Sequence, residues 1–499
     1  MYMRKLIRRA IAASLFANSL IFYPNIYDEG LIMSVAHAKV KTYIGVGEDY
    51  ASQYESQEVA KLRAQRNAIQ QAIEQAGIYL KSYSRTINAE LTDDDISVIT
   101  NTNYEVIGKP QYENIVQQVT DKSTVIVWKA TIKVNVDDSE IQKWIELKEE
   151  DKSEIVAQNK KIQKSYAEND KQVKELREQA KNAKTEVEIN KVKASFAKID
   201  DDFLYNQEIE KANKALTKYY PKKAMEHLEK ALKLNPNRAE AYNGIGKAYF
   251  IDHKNKDFKG INGTKERYEQ ALEFCNKAIE IDPNYVEAYK NRYSIARSLY
   301  YETREKQRYF HLMLGDLKKI MEIDPDDIFP YEFLGYTYNK ERYYDQAIKY
   351  FKRAIEFIPQ ITQTKHPLAH KYIYLDLGFI YFKYKDDAAS ALEVYDEAIN
   401  LYSTVNSIGN SLFMSKLYYN RGFCYYKLGE YYKAIKDYTK LIDYNKDSEY
   451  YLALGLKSRA EAYKAVGDNA RAQADLDRIK SLRKPYRPPD LDNSGIFER

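Results

Sequence analysis

The sequence predicts a mainly α fold: a helical-hairpin solenoid of about six to seven repeats, preceded by a small α+β domain and a charged helical linker. Three observations carry this. Glycine, alanine and aromatic residues recur in one frame through the C-terminal part, residues 39–137 alternate as strands do, and a charge-rich stretch with few apolar residues joins the two. Composition agrees with a helical protein: 18 Gly and 12 Pro in 499 residues, with 30% charged side chains. The 47 tyrosines are read mainly as flat packing groups in helix seams. A net charge of +5 from 78 basic and 73 acidic residues gives no case for nucleic acid, and the basic stretch Arg478 to Arg487 reads as a solvated end.

Residues 1–38 read as a signal peptide or signal anchor. A basic start (Arg4, Lys5, Arg8, Arg9) precedes the apolar run Ala10–Tyr23, and Ala36-His37-Ala38 offers a small-residue cleavage site. Asp28 and Glu29 interrupt the segment, so cleavage near Ala17-Asn18-Ser19, or retention as an anchor, stays open. Fourteen apolar residues are short for a span, so membrane contact is expected only through this segment if uncleaved. Export places the protein in the periplasm or cell envelope.

In residues 39–137 a strand is expected over Lys41–Glu48 and a helix over Ser56–Gly77, with Ala60, Ala64, Ala68 and Ala72 on one face. Ile78–Leu91 reads as a strand, Asp93-Asp94-Asp95 caps a short helix, and Tyr104–Thr120 and Ser123–Val136 read as strands. This order, with its Gly45-Val46-Gly47-Glu48 opening and the Ala-rich helix running into Ala76-Gly77-Ile78-Tyr79, resembles the N-terminal domain of flagellar assembly protein T and small outer-envelope lipoproteins that share it. The resemblance implies an envelope adaptor role, not flagella.

Residues 138–200 carry a heptad seam: Ile162, Tyr166, Asn169, Val173, Leu176, Ala180, Ala183 and Val187. Two readings stand side by side. The seam makes a coiled coil, as a homodimer through 162–187 or a folded-back hairpin, or the stretch is one charged spacer helix.

The repeats occupy 201–484, ahead of a tail at 485–499. The clearest unit is Tyr331, Leu334, Gly335, Tyr338, Ala347, Phe351, Ala354 and Pro359, and Pro325 and Pro359 stand 34 residues apart. Gly335 and Ala347 are small because two helices cross there. Leu334, Tyr338 and Phe351 fill the seam, and Pro359 ends the second helix. Further units run through Tyr242, Gly246, Ala271 and Pro283, through Tyr374, Gly378, Ala391 and Tyr395, and through Tyr418, Gly422, Ala434 and Tyr438. Weaker copies begin at Ala212 and Ala460, and Arg292-Tyr293 stands where Leu-Gly is expected, which predicts a distorted repeat. The array resembles the tetratricopeptide repeat family, which implies a surface for protein or peptide partners.

No HExxH, P-loop or GxSxG motif occurs, and His366 and His370 flank Pro367 without further ligands, so no catalysis, cofactor or metal is expected. Cys275 and Cys424 belong to no CxxC motif and read as buried thiols. The expected site is the concave face, lined by first helices: Tyr336, then Tyr372, Phe379 and Phe382, then Tyr419, Phe423 and Tyr426. Chaperone-binding members of the family carry Lys and Asn there to clamp a carboxylate. These aromatics suit a peptide with apolar anchors instead, unless the rings pack on one another or under the tail Pro485-Tyr486-Arg487-Pro488-Pro489. The reading is therefore a non-enzymatic, exported bacterial envelope scaffold. The alternative is a cell-wall or glycan-associated structural protein.

Overall fold

A computed structural model describes residues 40–86, 91–120, 123–146, 149–252, 264–359, 370–403, 410–445 and 448–482. The signal-like segment, the Lys-rich insertion around Gly260–Gly263, His366 and the tail beyond Leu482 lie outside these residues. The chain forms two compact units. The first takes residues up to Tyr83, Ile96–Trp144 and Gln158–Pro283, and the second takes Ser84–Asp95, Ile145–Ala157 and residues from Asn284 on.

In the first unit, β1 (Val40–Ala51), β2 (Tyr104–Thr120) and β3 (Ser123–Asp137) form an antiparallel sheet in the order β1-β3-β2. The β2/β3 ladder slips between Ile107 and Gln111, where Gly108 has φ +74° and Pro110 cannot donate to it. Helix α1 (Gln57–Thr86) lies against β1. Ala60, Ala64, Ala68, Ala72 and Ala76 repeat every four residues, so they form one ridge, and all are fully buried. Gly45 and Gly47 face that ridge, and a Cβ on Gly45 would overlap the carbonyl of Ala68, 2.8 Å from its carbon. Helix and strand thus touch backbone to backbone.

The strand expected over Ile78–Leu91 is corrected: α1 continues to Thr86. The Ile-Tyr-Leu run has strand propensity, but Leu80 and Ser84 extend the four-residue ridge of the alanines into buried positions. Ile78, off that ridge, is 75% exposed. Short helices α2 (Asp93–Thr102) and α3 (Ser139–Glu146) complete the domain. At the start of α2, Thr92 Oγ1 accepts from Asp95 N at 3.1 Å and the Asp95 carboxylate accepts from Thr92 N at 2.8 Å, a reciprocal cap.

The heptad seam resolves as a hairpin. Helices α4 (Glu149–Asn182) and α5 (Glu186–Thr217) turn about Thr185, which caps α5 in a capping box with Glu188. Val173 and Leu176 bury against Val192, Phe196 and Ile199 of α5, and the polar seam residue Asn169 donates to the Ile199 carbonyl at 2.9 Å. The residues expected to pair two copies through 162–187 are occupied within the chain, except Val187, which is 79% exposed. Helix α5 runs unbroken through residue 200, and its second half pairs with α6 (Pro221–Leu234) as the first repeat. Helices α7 (Ala239–Ile251) and α8 (Thr264–Ile281) form the next.

Where hairpin meets domain, four charged side chains, Glu55, Arg63, Arg177 and Asp200, are buried together beside half-buried Asp49. Arg177 of α4 donates to Glu55 at 2.7 Å and to Asp49 at 3.2 Å, while Arg63 of α1 pairs with Glu55 at 3.4 Å and with Asp200 of α5. The arginine side chains are only 4% and 6% exposed. Three carboxylates face two guanidiniums, so desolvation dominates at the acids: Asp49 is raised, and Asp200 is pushed up to about 6.

The second unit continues the pairs: α9 (Val286–Glu302) with α10 (Lys306–Ile323), α11 (Ile328–Lys340) with α12 (Tyr344–Ile355), α13 (Tyr372–Tyr384) with α14 (Ala388–Tyr402), α15 (Asn410–Lys427) with α16 (Tyr431–Tyr444), and α17 (Glu449–Ala465) with α18 (Asn469–Lys480). In three of these pairs a glycine meets a ring, Gly335 on Phe351, Gly378 on Tyr395 and Gly422 on Tyr438, so that a Cβ on Gly378 would sit 2.7 Å from the Tyr395 hydroxyl. Arg292-Tyr293 does not distort its repeat. Arg292 forks onto buried Asp316 of α10, with Nε donating at 3.1 Å, and Tyr293 packs edge-on to Phe329, 5.7 Å between centroids. The same exchange recurs: Arg421 holds Asp437 and Arg459 holds Asp475, each through two nitrogens, while Leu334 and Leu377 keep apolar partners. Wherever the leucine position of a first helix becomes arginine, the facing position of the second becomes aspartate.

Candidate functional site

The first-helix (helix-A) face of the second unit is built by α11, α13, α15 and α17, which also pack on their own second helices and on the second helix before them. The spacing of the seam residues sends Tyr336, Tyr372, Phe379, Phe382, Tyr419, Phe423 and Tyr426 to other positions on these helices. The structure divides them into two depths. Tyr336, Tyr372, Phe382 and Tyr426 are half-buried, whereas Phe379, Tyr419 and Phe423 are buried at 9%, 4% and 5% exposure.

The deeper rings are tied into aromatic contacts. Phe382 meets Phe423 edge-on at 5.6 Å, Tyr419 stacks on Phe423 at 6.4 Å, and Tyr419 leans on Tyr438 at 6.2 Å. Tyr372 packs on Phe413 at 5.7 Å, Phe379 on Tyr384 at 5.6 Å, Tyr426 on Tyr431 at 5.4 Å, and Tyr336 on Phe351 at 5.0 Å. Phe382, Tyr419 and Phe423 thus form one ring cluster, while Tyr336 also meets Phe333 at 5.8 Å, Tyr372 reaches Tyr402 through Phe413, and Phe379 reaches Tyr344 through Tyr384. Burial raises the Tyr419 hydroxyl well above the ordinary phenol range, so it stays protonated.

Polar groups complete the face, and the aromatic pattern alone did not single them out. Lys416 lies 5.8 Å from the Tyr372 ring centre, and burial lowers its ammonium against the pull of Asp376. Asn420, fully buried, donates to the Tyr395 hydroxyl at 3.4 Å. Repeat-to-repeat alignment is the signal that finds them, because Asp376 and Asn420 hold the same place two residues before the conserved-type glycines Gly378 and Gly422. The first helices also end on cations: Lys340, Lys383, Lys427 and Lys464 stand in the last turns of α11, α13, α15 and α17, where the helix dipole favours them.

Among the described residues no group of three or more His, Cys, Asp or Glu is placed to hold a metal, and no helix is long and apolar enough to cross a membrane. His370 pairs with Glu332 instead of acting as a ligand. Cys275 and Cys424 are free and buried, and burial pushes the Cys424 thiol up to about 12.

Three tetratricopeptide repeat models match the chain, over residues 222–251, over 261–285 and 330–361, and over 415–448. The chain is also similar to solved structures. They include MamA residues 41 to the end from Desulfovibrio magneticus RS-1, at 18% identity and TM-score 0.31, over 41% of this chain and 98% of that one. Another is a tetratricopeptide repeat protein from Parabacteroides merdae, at 16% identity and TM-score 0.33, over 56% of this chain and 94% of that one. YrrB, described as a TPR protein with an unusual peptide-binding site, is 17% identical at TM-score 0.31 and covers 46% of this chain and 96% of its own. No curated protein matches the chain. The models over 330–361 and 415–448 fall on helix pairs in which a small residue lies against a ring, Gly335 on Phe351 and Gly422 on Tyr438, so the chain carries tetratricopeptide repeats over the matched residues.

Proposed function

We propose that the protein is a non-enzymatic scaffold of the bacterial envelope that captures a protein or peptide partner on its helix-A face. The observation that carries this is the two-depth arrangement of rings: Tyr336, Tyr372 and Phe382 stay half-open against the buried rings of Phe351, Phe413 and Phe423, and Tyr426 stands beside half-buried Tyr431. Rigid aromatic side chains over a dry base lose little entropy on binding, which is the usual make-up of an anchor pocket. The adjacent lysines favour a partner with apolar anchors and acidic flanks. Export, with membrane contact only through residues 1–38 if they are retained, rests on the basic-then-apolar start of the sequence. Residues 39–137 then serve as the adaptor domain.

The test is crosslinking of a tagged chain in its native envelope, followed by mass spectrometry and determination of the mature N-terminus. A discrete partner should be captured, and Tyr372→Ala with Phe382→Ala should weaken capture by at least ten-fold while helicity is kept. Unchanged capture by that double variant would remove the face from the proposal.

Exposed tyrosines favour a second reading. Tyr301, Tyr343, Tyr384 and Tyr432 are 48%, 57%, 44% and 77% exposed, near the turns between paired helices, where rings could stack on sugar faces. Co-sedimentation with purified cell wall, lost when these rings become alanine, would select the wall-associated role, and no co-sedimentation would discard it.

A further inference from the structure

A cleft of about 540 Å³ opens at the turn between α17 and α18, across from the start of α16. Its walls are Tyr432, Ile435, Tyr463 and Val466, with Asp468 and Arg471 on its polar side. The turn is possible because Gly467 takes φ +80°. One wall is rigid. Asp468 accepts from the Arg471 backbone at 3.0 Å and pairs with its guanidinium at 2.7 Å, and that guanidinium lies 5.2 Å from the centre of the Tyr463 ring. The other wall, Tyr432, stands 77% exposed and leaves the cleft open to a ligand.

We propose that this cleft is a proline-rich peptide site whose occupant is the chain's own tail, residues 483–489. The tail reads Arg-Lys-Pro-Tyr-Arg-Pro-Pro, with Pro485 and Pro488 three residues apart. Proline fixes φ near that of the polyproline II helix, which repeats every three residues, so both rings project from one edge at little entropic cost. Paired, parted aromatic rings are what such an edge fits, and they read it in groove-type proline recognition. Reach is sufficient. From Arg471 to Lys480, α18 advances about 13.5 Å at 1.5 Å per residue. A tail turning back from Leu482 in polyproline II form covers about 19 Å by Pro488, at about 3.1 Å per residue. Residues 483–487 hold Arg483, Lys484 and Arg487 and no acid. The acids on the returning path, Asp477 and Asp468, are already held by Lys480 at 2.8 Å and Arg471 at 2.7 Å, so recognition rests on the prolines and not on charge. The α17/α18 hairpin thereby gains a covering strand from its own chain.

The test uses the full chain with the photoreactive amino acid p-benzoylphenylalanine in place of Tyr432, prepared in isotopically light and heavy forms and mixed before irradiation. Crosslinks should fall on residues 483–489, join light to light and heavy to heavy, and keep their yield on dilution. Pro485→Ala with Pro488→Ala should lower that yield at least ten-fold, and circular dichroism confirms that both proteins stay folded. Light-to-heavy crosslinks would overturn the proposal in favour of a tail exchanged between copies. Crosslinks only outside 483–489, none at all, or an unchanged yield in the proline variant would overturn it outright.

Discussion

Replacing Gly45 with alanine tests whether the first unit depends on backbone contact between β1 and α1. The added Cβ would overlap the Ala68 carbonyl, with the carbonyl carbon 2.8 Å away and the Ala72 nitrogen 3.0 Å away. All are backbone atoms, so no rotamer change relieves them. Ordinary contact with the carbonyl oxygen requires strand and helix to part by about 1.6 Å. Such a gap forfeits a large part of the dispersion attraction along the Ala60–Ala76 ridge. Overpacking alone costs about 1–3 kcal/mol, and the weakened ridge brings the expected loss to about 3–5 kcal/mol. Gly77→Ala, in the same helix, is the control: its Cβ would meet Ile96 Cγ2 at an ordinary 3.5 Å. Alanine there should stabilise by about 0.5–1 kcal/mol through helix propensity. Trp128 and Trp144 are the chain's two tryptophans and both belong to the first unit, so the urea midpoint of tryptophan fluorescence reads that unit selectively. A Gly45→Ala midpoint equal to that of the parent protein would refute the backbone-contact argument.

Other expectations follow from the buried charges and thiols. Arg421→Leu leaves Asp437, which is 2% exposed, without its guanidinium and should cost about 3 kcal/mol by thermal melting; Arg421→Leu with Asp437→Tyr, the combination found at Leu334 and Tyr350, should restore most of it. Asp200 is raised to about 6 in the fold, so its contribution is complete below about pH 4 and is lost as pH rises through 6. The first unit should therefore be more stable at pH 4.5 than at pH 7.5, by on the order of 1–2 kcal/mol, and Asp200→Asn should flatten the difference; a stability that rises over this range contradicts the excess-carboxylate cluster. Cys275 and Cys424 should resist a thiol reagent until urea unfolds the chain, as measured by the kinetics of labelling.

The repeats were legible because their frame is set by size. Gly335, Gly378 and Gly422 must be small where a ring crosses, and no other contact can substitute for that. The domain was legible in its strands, whose alternation is strict, and in the alanine ridge of α1. It was misread at Ile78, where three residues of high strand propensity sit on a helix and only the continuation of the four-residue ridge to Leu80 and Ser84 decides. Arg292 looked like a defect because its partner Asp316 lies 24 residues away, on the next helix. The aromatic face was legible as a list of residues on first helices. Its depth was not, because the sinking of Phe379, Tyr419 and Phe423 depends on the rings packed beside them.

The arginine–aspartate exchange has a bearing on how an array of near-identical hairpins assembles correctly. In a chain where every second helix resembles its neighbours, α15 could close on α14 or α16 with much the same apolar seam. Arg421 also reaches Asp396 of α14, at 2.7 Å, yet its two-nitrogen grip is reserved for Asp437 of α16. Closing on the wrong neighbour would trade a two-pronged bond for a single one and leave Asp437 buried and alone. The charged seams therefore differ from the Leu334 and Leu377 seams, and at α9, α15 and α17 they penalise closure on any helix but the one that carries the matching aspartate.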